Sequence, residues 1–497
     1  MKRCFWVCCL FIGVNALAQN RTNIWELSYS TNLQYPNCEM IFSGDSVYTQ
    51  SVSRIMAFFN TNASICDTSG SLLFYTNGLT VGNKNYDTLQ NAVNFNPGYA
   101  TTFYEPDGMG IVQGALIIPR PESNDQYYLF YVTAEPIFAY GNYDTNPLYL
   151  SYSLIDMSLD NGLGGIVDSQ KNLHVIDDTL MLGRLNAVKH ANGRDWWVIS
   201  HEYYSDVYYK LLITPDSISG PFSQKIGSEI GANDIAGETA FSPDGSKFAM
   251  MNASNTLDFM EFNRCTGEFF NAQSFDIPDS IGTYGCSFSP NNRFLYASSK
   301  YNLYQYDTWN ADMIDNMIHI AEWDSFTQNN IPVLFFIHQL APDGKIYLSG
   351  FNGGQYFNVI NEPDSLGLVC NFVPHSFVLP QNHTDIPSFP NYDLGAFPNG
   401  DTCHAVYTAQ IPVQEKLFEY QIAPNPVSDW LNIIYQSNED ALLELFDLYG
   451  KRVGAMSLFH YFKNRLLNVS DLPPGVYLAA ISCKGERVWS EKVVVQR

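Results

Sequence analysis

One short pattern recurs along this chain and limits what it can fold into. It reads Phe241-Ser242-Pro243-Asp244-Gly245-Ser246-Lys247-Phe248, then Phe288-Ser289-Pro290-Asn291-Asn292-Arg293-Phe294, then Leu340-Ala341-Pro342-Asp343-Gly344-Lys345-Ile346. Proline fixes φ, Asp, Asn and Gly tolerate the angles of a tight turn, and an apolar run enters a strand behind it. The copies lie about 50 residues apart, enough chain for one four-stranded propeller blade.

Weaker copies precede these three. Asp67-Thr68-Ser69-Gly70 leads into Leu72-Leu73-Phe74-Tyr75-Thr76, Tyr127 to Val132 is a second apolar run, and Asn192-Gly193-Arg194-Asp195 leads into Trp196 to Ser200. Six turn-plus-strand units therefore lie between about residue 60 and residue 360. Helical periodicity is nearly absent, with one weak helix predicted near 311–320. The spacing predicts an all-β chain whose first 397 residues, less a leader, form a β-propeller. Seven blades are expected, with six and eight as alternatives. The seventh would be built jointly from residues 24–58 and 365–397, which would tie the ring shut and remove two open edges.

The net charge is −24. Such a chain repels phosphate backbones and anionic lipid, so neither nucleic acid nor a membrane surface is an expected partner. Tyr (32) and Phe (33) are abundant and suit half-buried pleated surfaces. At the N-terminus, Lys2 and Arg3 precede an apolar run from Cys4 to Val14, and Ala16-Leu17-Ala18 is an A-x-A cleavage site. The expectation is a signal peptide over 1–18, with Gln19 first in the mature chain. No other stretch is long and apolar enough to be a transmembrane helix. Seven cysteines would remain in an oxidising compartment. Cys265 with Cys286, and Cys370 with Cys403, are candidate neighbours, and spacing leaves the connectivity open.

Residues 398–419 carry little pattern and read as a linker. Tyr420 to Arg497 alternates in strands at Trp430–Tyr435, Ala441–Asp447, Gly475–Ile481 and Arg487–Val495, which predicts a small antiparallel sandwich. Its Pro424-Asn425-Pro426, Leu445-Phe446-Asp447-Leu448-Tyr449-Gly450, Leu472-Pro473-Pro474-Gly475-Val476-Tyr477 and Lys492-Val493-Val494-Val495 resemble the type A sorting domain of the Bacteroidetes type IX secretion system. The resemblance implies export through that machinery, with Pro424, Asn425, Pro426, Gly475, Tyr477 and Lys492 as parts of the sorting signal. In that family the domain is typically cleaved and the cargo released or attached to the surface. The front of the chain, through Gln113 to Pro119, Asp156 to Gly164 and Val188 to Trp197, resembles secreted Bacteroidetes proteins with a WD-like propeller region and this same tail. That likeness implies no specific activity.

Catalytic signatures are missing: there is no phosphate loop, His-Glu-x-x-His or Gly-x-Ser-x-Gly. Asp156 to Gly162 looks like a calcium loop but has Asn161 where glycine is needed and Val167 where glutamate is needed. A turn is the expectation there; no cofactor is expected, and calcium, which the acidic charge leaves open, has no specific motif to hold it. His201 and Glu202, at the exit of the Trp196-Trp197 strand, and His375, His383 and Asp385, near the presumed ring closure, are the candidate binding residues of a propeller face. Asp234 and Glu238 could form a carboxylate pair of the kind glycosidases use. The expected function is binding or adhesion to a protein or glycan outside the cell. The alternative is an extracellular hydrolase of glycosidic or peptide bonds with acid and base residues on propeller loops.

Overall fold

The computed structural model describes residues 20–29, 37–397, 403 and 418–496, apart from 45, 55, 106, 134, 140–141, 232–236, 280–281, 311, 384–385, 438, 449 and 460–463. The expected signal peptide and nearly all of the expected linker lie outside these residues. The chain divides into two compact units, 1–404 and 405–497.

Among the described residues the first unit contains seven antiparallel sheets that follow one another along the chain, besides two small hairpins. They span 24–52 (blade 1), 63–83 (blade 2), 115–177 (blade 3), 186–225 (blade 4), 239–276 (blade 5), 283–322 (blade 6) and 335–383 (blade 7). Blades 4 to 7 are four-stranded meanders in which each strand pairs with the next. The recurring turn joins the first strand of a blade to its second: Thr239–Phe241 pairs with Lys247–Met251 across Ser242 to Ser246. Inside that turn Asp244 Oδ1 accepts from Ser246 N at 2.9 Å and Ser242 Oγ at 2.6 Å, and Gly245 sits at φ +72°. This is the Asx-type chemistry for which the sequence is suited.

The sheets close on themselves. Phe58 meets Tyr75 between blades 1 and 2. Blades 2, 3 and 4 share one core, from Phe74 through Leu116 and Phe130 to Trp196. Tyr208 of blade 4 packs on Phe248 and Phe269 of blade 5. Leu257 and Phe275 of blade 5 pack with Leu295 and Tyr306 of blade 6, and Tyr296 of blade 6 with Ile346 and Leu348 of blade 7. Trp25 and Met40 of blade 1 then pack on Tyr347 and Phe357 of blade 7, which completes the ring. Face-to-face burial of aromatic sheets around a closed circle is a seven-bladed β-propeller.

The ring does not close as the sequence suggested. Residues 24–52 form blade 1 alone, as three strands, and Phe372–His383 is the outer strand of blade 7. Among the described residues no shared sheet joins the ends. Packing of Trp25 and Phe42 on Tyr347 does so instead. Two smaller readings also change. Residues 312–316 form a turn followed by the strand Ile318–Glu322, and the α-helix found among the described residues is Tyr99–Tyr104, in a connection between blades 2 and 3.

The second unit has one sheet built from Phe418–Ala423, Trp430–Ser437 and Asn464–Asn468, and another from Ala441–Phe446, Arg452–Leu458, Gly475–Cys483 and Glu486–Val495. Leu431, Ile433, Leu443, Leu445, Ile481 and Val493 fill its core. The Pro-Asn-Pro signature ties its start to its end. Asn425 Nδ2 donates to Lys492 O at 2.7 Å and Asn425 Oδ1 accepts from Val494 N at 2.9 Å. Tyr477 Oη donates to Pro473 O at 2.7 Å, and Gly475 pairs with Val495.

Candidate functional site

The first strands of the blades surround a hub. Because the recurring turn follows each first strand, the residues just upstream of the turn face the middle of the ring. A chamber of about 300 Å³ lies there, lined by Glu238, Thr239, Ser287, His338 and Gln339 among others. One end of it is covered by a strap, residues 386–397, that leaves blade 7 and recrosses the wheel.

The strap is held by partners far away in sequence. Ser388 N donates to Asn62 O at 3.1 Å, Asn391 Nδ2 to Pro243 O at 2.6 Å, and Phe397 N to Ala191 O at 2.9 Å. Tyr392 is buried, donates to Ile117 O at 2.7 Å and meets the Trp196 ring edge-on. Arg264, 1% exposed, donates to Lys189 O at 2.7 Å, His190 O at 3.2 Å, Asp244 O at 3.2 Å and Gly395 O at 2.7 Å. A disulfide between Cys265 and Cys403 fixes the chain just beyond the strap, with Cα atoms 5.2 Å apart. The sequence had suggested Cys265 with Cys286 and Cys370 with Cys403. Cys286 and Cys370 are instead free, buried thiols in the blades.

Arg264 therefore links blade 4, blade 5 and the strap through four carbonyls. Arg264→Met leaves those carbonyls without their donor, at a cost of about 1–3 kcal/mol for each that stays buried. We expect a loss of about 3 kcal/mol or more in urea unfolding. A change below about 1 kcal/mol would mean that solvent already serves these groups.

The chamber has polar walls. Glu238 Oε2 accepts from Cys286 N at 3.0 Å and His338 N at 2.9 Å. Gln113 is committed to Thr239, donating to its carbonyl at 2.8 Å and accepting from its N–H and hydroxyl at 2.9 Å each. His338 Nε2 lies 2.8 Å from Ser298 Oγ, and burial draws the ring's pKa down to about 3, so it is neutral. Burial pushes the Cys286 thiol far up, which makes it a poor nucleophile. These groups form no nucleophile–base–acid chain.

Four of the five sequence candidates lie among the described residues, and they do not converge on one site. His201 is buried, with Nδ1 2.7 Å from Glu202 O and its ring edge-on to Tyr208. Glu202 is half-buried, and its carboxyl is raised by burial and by the neighbouring Asp178. Tyr209 Oη donates to Asp178 Oδ2 at 2.6 Å and lies 3.5 Å from Glu202 Oε1. His375 sits on the outer strand of blade 7, stacked on Phe326, with Nε2 2.7 Å from Asp324 Oδ2. His383 is buried against Phe357. Asp385, like Asp234, lies outside the described residues. No group of three or more His, Cys, Asp or Glu side chains suited to a metal occurs among the described residues.

Sequence reading passed over Ser287, His338 and Gln339. Their signal was present: each lies within about five residues before a recurring turn. It also passed over Tyr99 and Phe103. Their rings stack at 5.4 Å and 16°, and Phe103 is 63% exposed.

The chain is similar to a putative 6-phosphogluconolactonase from Bacteroides fragilis, at 10% identity and TM-score 0.41, covering 74% of this chain and 97% of that one. A Lactobacillus plantarum protein matches at 11% identity and TM-score 0.39, covering 90% and 99%. The extracellular domain of a putative hybrid two-component system from B. thetaiotaomicron matches at 10% and 0.35, covering 96% and 56%. At that similarity none transfers an activity or ligand, and the fold rests on the ring of sheets. No curated protein matches the chain. No helix among the described residues is long and apolar enough to cross a membrane. Residues 421–496 match the secretion system C-terminal sorting domain. The chain is thus a cargo of type IX secretion, engaged by that machinery through its C-terminal unit and delivered outside the cell or to its outer surface.

Proposed function

We propose that the mature protein is an extracellular β-propeller that binds a glycan without reacting with it. Export would begin with a signal peptide cut after Ala18, and residues 19–397 would form the working domain. The observation that supports glycan binding is the Tyr99–Phe103 stack on the short helix Tyr99–Tyr104, with rings 5.4 Å apart and Phe103 largely in solvent. Sugar rings present C–H faces that pack on such aromatic surfaces, while their hydroxyls remain hydrated. The hub adds support of a negative kind. Its histidine is neutral and its carboxylate already accepts two backbone N–H groups.

A second reading, an extracellular hydrolase, draws on Glu202. Its raised carboxyl could donate a proton beside Asp178 and Tyr209. Of the other sequence candidates, His201 is the one beside it, with Nδ1 2.7 Å from the Glu202 carbonyl.

A glycan array with the purified full-length protein tests the first reading. At least one glycan is expected to bind, and Phe103→Ala should weaken it about tenfold, the loss of one aromatic contact of roughly 1.4 kcal/mol. An array without binding, together with turnover of a glycoside or peptide substrate abolished by Glu202→Gln, would replace it with the second. Capture of a protein ligand by the same surface, sensitive to Phe103→Ala, would replace the glycan with a protein.

A further inference from the structure

We propose that the hub chamber is a second binding site, for one small neutral polyhydroxylated molecule of monosaccharide size. This goes beyond the surface reading above and does not depend on it.

Two buried polar groups point to a ligand. Ser287 is 4% exposed and His338 2%, and both line the chamber. Ser287 Oγ and His338 Nδ1 have no protein hydrogen-bond partner among the described residues. Leaving a buried hydroxyl or imidazole nitrogen unpaired is costly, so native interiors pair such groups with protein, water or ligand. Neighbouring Gln113 and Asn186 are used up on Thr239 and on the Ala187 N–H. Among the residues that line the chamber, the unpaired atoms are those of Ser287 and His338.

The chemistry of that wall selects among ligands. A hydroxyl both donates and accepts, and a neutral imidazole offers one donor and one acceptor over its two nitrogens. His338 Nε2 is engaged with Ser298, so Nδ1 is free to meet a ligand hydroxyl in either tautomer. Glu238 can only accept if ionised. No Lys or Arg is among the described residues that line the chamber, whereas Glu238 and Asp393 are. An anionic ligand would meet like charge on the lining itself. A volume of about 300 Å³ lies at the lower bound of small-molecule sites. The apolar part of the lining, Phe288 and Phe389 among it, suits the C–H face of a sugar ring.

Calorimetry on the full-length protein, after overnight incubation with each probe, tests the assignment. The neutral probes are glucose, galactose, mannose and myo-inositol, and the charged counterparts are glucuronate and glucose 6-phosphate. One neutral probe is expected to bind with a stoichiometry of one. Ser287→Ala, a small change checked first for an unaltered melting temperature, should weaken it about tenfold, as for loss of one hydrogen bond. The charged counterparts should bind at least about tenfold more weakly. Phe103→Ala should leave this binding unchanged while reducing glycan capture, so the two sites succeed or fail separately. A crystal structure with the tightest neutral probe should place it against Ser287 and His338. Absence of binding by every neutral probe up to millimolar concentration would make the chamber a water-filled void and overturn the proposal. Equal affinity for the charged counterparts, indifference to Ser287→Ala, or density elsewhere would overturn it too.

Discussion

Acidification from pH 7 to pH 5 is expected to cost this propeller several kcal/mol of stability through three buried histidines. His201 and His338 have pKa values drawn down to about 3, and His383 to about 4, in each case chiefly by burial of the charged form. In the unfolded chain each titrates near 6.5. The folded values are depressed, so between the folded and unfolded pKa the unfolded state binds more protons. Stability is full above about pH 6.5 and falls as pH drops toward 3 or 4. At pH 5 each histidine is about 1.5 units below its unfolded pKa, a loss of about 2 kcal/mol apiece and about 6 for the three. The raised carboxyls of Glu26 and Glu202 act in the opposite sense. Their protonation is favoured in the fold, so the stability they contribute at low pH is lost as pH rises through their folded pKa values. Urea unfolding at pH 5, 6 and 7 reads the net effect, and His383→Asn should flatten the dependence. Stability that stays level across this range would show that the rings protonate within the fold.

Opening the disulfide is the second large effect. Cys265 and Cys403 are separated by 138 residues, and in the chain-entropy account a loop of that size restricts the unfolded chain by about 5 kcal/mol. Cys403→Ser should therefore lower unfolding free energy by about 3–5 kcal/mol. The damage should be concentrated at the strap. Its remaining anchors are separate hydrogen bonds, each worth about 1 kcal/mol net, and local opening there no longer has to break a covalent link. Limited proteolysis of the variant should cut within 386–397 while blades 2 to 6 stay protected. Unchanged stability and an intact strap would place its closure in packing alone.

The strap also has a steric dependence on glycine. Gly193 sits at φ +73°, and a Cβ there would come within 2.5 Å of Ala396 N. The same Asn192-Gly193 turn that starts a strand thus leaves room for a chain segment about 200 residues later. Its sequence announces the turn and gives no hint of what passes over it.

That contrast holds throughout the molecule. The Ser-Pro-Asp-Gly turns, the alternation of blade strands and the Pro-Asn-Pro and Leu-Pro-Pro-Gly signatures of the sorting domain are set by neighbours a few residues apart. Proline, asparagine and glycine fix backbone angles locally, and a strand shows its buried face every second residue. From them the all-β class, the blade-sized repeat and the exported tail could be read directly. Of the three strands of the sorting domain that were passed over, Arg452–Leu458 and Asn464–Asn468 keep most of their described side chains exposed or half-buried and so carry a weaker pattern, whereas Phe418–Ala423 buries Tyr420 and Ile422 in the core.

Where the ring closes, which cysteines join and which side chains meet at the hub were decided only in three dimensions. Trp25 finds Tyr347, Cys265 finds Cys403 and Glu238 finds the N–H of His338. Closing a longer loop costs little more than closing a shorter one, since the entropy grows only with the logarithm of length. Separation along the chain therefore scarcely limits the choice of partner, and the packing of seven aromatic sheets around one axis makes that choice.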